Sequence, residues 1–123
     1  MTKEARTDNQ FLLDIIDAIK SINDFLVDKT REEFENNYML QSAIIRQFEI
    51  IGEAAGKLSK ALKENHQEID WPKIIGMRHK MIHDYFEVSL DVVWNTIQED
   101  LPIFEKQIKN LSDLIIKRSQ DNG

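Results

Sequence analysis

The chain has 123 residues, of which 41% are hydrophobic, and a formal net charge of −6 at pH 7. This length suits a single globular domain over residues 1–123 and excludes two domains. Because the chain contains no cysteine, a disulfide framework, a thiolate nucleophile and a cysteine-ligated zinc site are excluded. Because the net charge is negative, we do not expect a broad basic surface that binds nucleic acid.

The start of the chain is polar and charged, and no apolar run reaches the ~18 residues that span a bilayer. We therefore expect no signal peptide, no membrane association and a cytoplasmic location.

The first half of the chain shows helical periodicity. An amphipathic helix is predicted over residues 8–28 from the apolar positions Phe11, Ile15, Ile19, Ile22 and Leu26. Thr30 with Glu33 three residues later is a capping-box pattern, which predicts a short second helix.

A long helix is predicted next, over residues 37–63, interrupted only by G-E-A-A-G. Gly52 and Gly56 lie in this stretch, and each costs about 1 kcal/mol of helix propensity relative to alanine. We therefore expect both glycines to let another backbone come close.

The second half of the chain predicts two further helices. Asp70 followed by Trp71 and Pro72 indicates the start of a helix that ends near residue 85 or 86. Ser89 opens the last helix, in which Pro102 predicts a kink near residues 98–101, and residues 118–123 are expected to fray. No segment alternates with period two, so the predicted fold is all-α, an antiparallel up-and-down bundle of four to five helices.

The helix after Pro72 carries a local excess of positive charge. Lys73, Arg78 and Lys80 against Asp84 give +2. A helical wheel places Arg78 near the middle of an apolar arc. Because an unpaired buried guanidinium is costly, Arg78 must reach a carboxylate, open into a cavity or face a second subunit. Glu53 is the preferred intramolecular partner, and a core salt bridge of this kind is the purely structural alternative.

Two histidines lie four residues apart on the same helix. His79 and His83 could share a metal ion, but the intervening residues offer no third ligand, and Lys80 occupies the position of the glutamate in helical metalloproteases. We therefore expect no metal site. An ideal helix places Arg78 and His83 about 140° apart, so their cooperation requires a distorted helix end, a curled arginine or a symmetry-related copy. Tyr85 lies about 20° from Arg78, on the same face, although a core tyrosine fits this position equally well.

The stretch W-P-K-I-I-G-M-R-H-K-M-I-H-D-Y-F, preceded by E-I-I-G-E-A-A-G and followed by V-V-W-N-T-I-Q-E-D-L-P, resembles the HepT-like branch of the HEPN superfamily. The resemblance extends over most of the chain. Its motif R-x4-H-x-Y is met by Arg78, His83 and Tyr85. The residue after the motif arginine is often asparagine in this branch and is His79 here.

The resemblance implies a HEPN-like bundle and a metal-independent endoribonuclease without cofactor, the toxin of a toxin–antitoxin pair. It implies Arg78 and His83 as catalytic residues, with His79 and Glu53 in support. The implied partners are RNA, a second copy that completes a composite site, and a nucleotidyltransferase antitoxin of the MntA type, with a higher hetero-oligomer as an alternative assembly. This antitoxin would silence the toxin by attaching AMP to Tyr85.

Chemistry gives each motif residue an expected role in RNA cleavage. His83 is the candidate base or acid because imidazole titrates near pH ~6.5, and Arg78 suits a phosphate clamp. The alternative is a non-catalytic helical dimer that binds a nucleotide or a protein partner through Arg78, a reading that the acidic surface favours slightly.

Overall fold

The computed structural model describes residues 6–82 and 89–121, with side chains described for residues 6–81 and 89–117. All regular secondary structure in these ranges is helical, which confirms the predicted all-α fold. No described helix has an apolar stretch long enough to pass through a bilayer. The elements are α1 (Asp8–Leu26), α2 (Arg31–Glu35), α3 (Tyr38–Lys57), α4 (Lys60–Asn65), α5 (Trp71–Ile82), α6 (Leu90–Asn95), a π-helical segment (Thr96–Asp100) and α7 (Leu101–Asp121).

The first two helices begin at side-chain caps. The Thr7 hydroxyl accepts a hydrogen bond from the Gln10 backbone N–H, and the Gln10 side chain accepts one from the Thr7 N–H, which completes a capping box. The Thr30 hydroxyl accepts from the Glu33 N–H at 3.1 Å and begins α2. The predicted starts of both helices are therefore confirmed.

The prediction of one long helix over residues 37–63 is wrong in one respect, because the structure has two helices there, α3 and α4. The Ser59 hydroxyl caps α4 by accepting from the Leu62 N–H at 3.2 Å. Asp8 in turn accepts from the Ser59 N–H at 2.8 Å and from its hydroxyl at 2.6 Å. These bonds join the start of α1 to the end of α3, so the two helices run antiparallel as predicted.

Helix α3 lies at the centre of the bundle, where it packs against both α1 and α5, while α7 packs against α1. Apolar side chains from these helices form one continuous core. Its largest fully buried members are Phe34, Phe48, Leu12, Ile15, Ile19, Ile22, Ile44, Ile51, Met81, Leu101, Ile108 and Val93.

A π-helical segment, Thr96–Asp100, lies where Pro102 predicts a kink. Because Pro102 has no N–H, the Gln98 carbonyl loses its usual donor four residues later. The Leu101 N–H bonds instead to the Thr96 carbonyl, five residues back. Beyond this segment α7 continues to Asp121, past the point where fraying was expected.

Candidate functional site

A groove of about 600 Å³ lies between α3 and α5. It contains three of the features that the sequence singles out, namely the G-E-A-A-G stretch, Arg78 and His79. The lining residues are Gly52, Glu53, Gly56, Lys57, Ile75, Arg78 and His79. The fold therefore brings the first part of the R-x4-H-x-Y motif against the small-residue stretch of α3.

Gly52 sets the distance between the two helices that form the groove. It is buried, and a Cβ added there would lie 2.7 Å from the Arg78 Cβ and 3.2 Å from both the Arg78 nitrogen and the Ile75 carbonyl oxygen. Real Cβ atoms essentially never come within 3.0 Å of another atom, so the contact with the Arg78 Cβ could not form without a shift, and the two contacts at 3.2 Å would be unusually tight. The expectation that Gly52 admits another backbone is thus confirmed, and the backbone is that of α5.

Gly56 behaves differently from Gly52. It is exposed, and an added Cβ would have no neighbour within 4 Å. The expectation of a close backbone at Gly56 is therefore wrong within the described part of the chain. Instead, the missing side chain leaves open space in the groove one turn beyond Gly52.

Arg78 is exposed and lines this groove. A core salt bridge is therefore wrong as an account of this residue. Among the described residues no ion pair joins Arg78 to Glu53, and the Glu53 carboxylate pairs instead with Lys57 Nζ at 3.3 Å. The wheel places Arg78 near the middle of an apolar arc, but within residues 71–81 Arg78 lies outside the buried face of α5. The buried residues in this range are Trp71, Ile74, Met77 and Met81.

The start of α5 is fixed by contacts on its other side. The Asp70 carboxylate accepts from the Lys73 N–H at 3.1 Å, as predicted for a cap, and Trp71 donates its indole N–H to the His66 carbonyl at 3.0 Å. Lys73 Nζ bonds to Asp100 at 3.0 Å. This hydrogen bond, followed by the charge of the same carboxylate, raises the pKa of Lys73.

The predicted basic patch is smaller than the sequence indicates. Lys73 does not line the groove and forms an ion pair with Asp100, a residue of the π-helical segment. Arg78 and Lys80 remain exposed on α5. Of the three cations in the predicted patch, Arg78 alone lines the groove.

The remaining motif residues, His83 and Tyr85, lie outside the described residues. His79 is described, is exposed and lines the groove beside Arg78. Sequence reasoning missed Lys57, which lines the same groove. Its spacing of four residues from Glu53, on the helix that carries both glycines, is the signal that could have found it.

Comparisons with known proteins show which family the chain is similar to. A family model described as "Ribonuclease HepT-like" matches residues 15–111. The chain is 38% identical over 106 residues to "Probable ribonuclease HepT" of Thermococcus cleftensis, an alignment that covers 86% of this chain and 96% of that protein. It is 40% identical over 107 residues to "Putative RNase MJ0125" of Methanocaldococcus jannaschii, covering 84% of this chain and 92% of that protein.

A third relative comes from a bacterium. The chain is 39% identical over 92 residues to "Putative RNase TTE0752" of Caldanaerobacter subterraneus, covering 72% of this chain and 82% of that protein. No solved structure matches the chain. The family match spans most of the chain and includes both helices that line the groove, so this protein belongs to the HepT-like ribonuclease family.

Proposed function

We propose that this protein is a metal-independent endoribonuclease that acts as the toxin of a toxin–antitoxin pair. The observation that carries the proposal is the exposed Arg78 in an open groove, in a chain of the HepT-like ribonuclease family. An exposed guanidinium beside a glycine-lined surface suits a phosphate group, because its planar donor fork can bind two phosphate oxygens at once.

In the proposed reaction the RNA 2′-hydroxyl attacks the adjacent phosphorus atom, and the bond to the 5′-oxygen of the next nucleotide breaks. The products carry a 2′,3′-cyclic phosphate and a 5′-hydroxyl. Arg78 stabilises the negative charge on the crowded phosphorane. His83 is the proposed base or acid, and His79, or His83 of a second copy, transfers the other proton. Glu53 has a supporting role only, through its ion pair with Lys57 in the absence of RNA.

We further propose that two copies form the complete site. Arg78 and His83 are about 140° apart on an ideal helix, and the groove is open where Gly56 has no side chain. A second copy placed against this region would supply a histidine from the opposite side. The proposal places the activity in the cytoplasm, where RNA and an antitoxin are synthesised.

Cleavage in the presence of a chelator tests the reaction. The purified protein is expected to cut RNA in EDTA and to leave 2′,3′-cyclic phosphate ends, which mass spectrometry of the fragments identifies. His83→Ala is expected to abolish cleavage because it removes the proton-transfer group. Activity that is lost on chelation and restored by zinc would contradict this mechanism.

Regulation by the antitoxin has a separate test. After co-expression with a nucleotidyltransferase of the MntA type, the intact mass of the protein is expected to increase by one or more AMP units, all mapped to Tyr85. An AMP group would fill the phosphate subsite with a bulky anion and block RNA. Tyr85→Phe serves as the control, since it keeps the ring and removes the acceptor oxygen. An unchanged mass after co-expression, or AMP attached elsewhere, would rule out this form of silencing.

A further inference from the structure

The wall of the groove opposite Arg78 carries a second cation, Lys57. This residue stands in the last turn of α3, and its side chain is 57% exposed. Lys57 and Arg78 come from different helices and line the same open space. The lining thus has two cations and one carboxylate, Glu53, which gives +1 in a chain whose formal charge is −6.

Two glycines without side chains, Gly52 and Gly56, form part of the groove surface near these two cations. Gly52 brings the α3 backbone against α5, and Gly56 leaves an open position one turn further along, beside Lys57. Because Arg78 and Lys57 line the same open groove from two different helices, a single strand bound there can present one phosphate to Arg78 and another to Lys57.

The Glu53–Lys57 ion pair does not prevent such a role. The two charged atoms are 3.3 Å apart, and both side chains are about half exposed, at 45% and 57%. Exposed pairs of this spacing on a helix are weak, because water screens them and both side chains lose rotamer freedom. A phosphate dianion or diester can therefore replace the carboxylate as the partner of Lys57.

We propose that Lys57 is an RNA-binding residue that holds a phosphate other than the scissile one, and that Glu53 competes with this phosphate for the ammonium group. The proposal rests on the proposed ribonuclease function and assigns a further binding contact to the same groove. It explains why an acidic protein can hold RNA at one place, with two cations on opposite walls. Lys57 takes no part in the bond-breaking step.

The test compares Lys57→Gln with Lys20→Gln at several salt concentrations. Lys20 is a matched control because it also forms an exposed pair with a carboxylate four residues away, Asp24, at 3.1 Å, on α1 and outside the groove. Lys57→Gln is expected to raise KM for a single-stranded RNA about three- to fivefold and to leave kcat unchanged. The dependence of log KM on log salt is expected to become shallower by about 0.7, the value for one lost phosphate contact.

Two further variants distinguish RNA binding from a structural effect. Lys57→Arg is expected to restore both KM and the salt dependence, because it returns the charge. Glu53→Gln is expected to lower KM about twofold by freeing Lys57, and this gain is expected to disappear in the double variant with Lys57→Gln. A merely structural Lys57 would change the melting temperature and leave the salt dependence unaltered.

The outcomes separate this inference from the function on which it rests. If the wild-type protein cleaves RNA and Lys57→Gln has the KM and salt dependence of Lys20→Gln, Lys57 does not bind RNA and only the present inference is overturned. If the wild-type protein neither cleaves RNA nor binds a non-cleavable 2′-O-methyl RNA, the proposed function falls and the Lys57 contact with it.

Discussion

Replacing Arg78 by alanine is expected to lower RNA cleavage about 10²- to 10³-fold, the loss typical for one missing donor to a transition-state oxyanion. The melting temperature is expected to stay within about 2 °C of the wild type. Arg78 is exposed and has no ion pair among the described residues, so removing its guanidinium breaks no ion pair in that part of the chain. The variant also retains the Cβ that packs against Gly52.

Lys80→Ala is the matched control for this experiment. It removes an exposed cation from the same helix, two residues away and outside the groove, and is expected to keep full activity. Initial rates on a labelled single-stranded RNA and thermal unfolding, measured on the same samples, check both expectations. A large fall in melting temperature for Arg78→Ala would support a structural role instead. Full activity, or expression without growth arrest in both wild type and variant, would favour the non-catalytic binding module.

Replacing Gly52 by alanine is expected to destabilise the bundle by about 1–2 kcal/mol, although alanine is the better helix former. The added Cβ would lie 2.7 Å from the Arg78 Cβ and 3.2 Å from two backbone atoms of α5. Because backbone cannot rotate out of the way as a side chain can, α5 must move away from α3. Such a shift would displace Arg78 and His79 together, so activity is expected to fall as well.

Gly56→Ala provides the opposite expectation on the same helix. Its new Cβ would meet nothing within 4 Å, so the gain in helix propensity, at most about 1 kcal/mol, is expected to appear as increased stability. Urea unfolding of the three proteins at one fixed protein concentration measures both changes, since the stability of the proposed dimer would depend on concentration. Equal effects at the two glycines would show that close packing at Gly52 does not decide the helix separation.

The contrast between the glycines shows where sequence reasoning stops. Both cost helix propensity, and both stand in a helix with an apolar stripe, so pattern alone assigns them one role. Only the packing of α5 on α3 separates them, because a close approach depends on two helices and on their relative rotation. Arg78 illustrates the same limit: its place near an apolar arc predicts burial, whereas the neighbouring helix covers only part of that arc.

Local features were predictable because their causes are local. The caps at Thr30 and Asp70 follow from a hydroxyl or carboxylate three residues before an unpaired N–H, and both are present. The irregularity before Pro102 follows from a missing donor, although its π-helical form does not. The division of the long helix at Ser59 was missed although its cap is local, and the bonds that tie Ser59 to Asp8, 51 residues away in the chain, could not be read from the sequence pattern.

The sequence by itself determined the all-α class, most helix starts, and the resemblance, carried by R-x4-H-x-Y and its flanking stretches, that identified the ribonuclease family. Helical periodicity and caps act within a few residues, so the order of amino acids is sufficient to read them. Only the tertiary structure decided that Arg78 is exposed in a groove. It also decided two ion pairs, Glu53 with Lys57 and Lys73 with Asp100. Each of these depends on which helix faces which, and that is settled by the packing of the whole core.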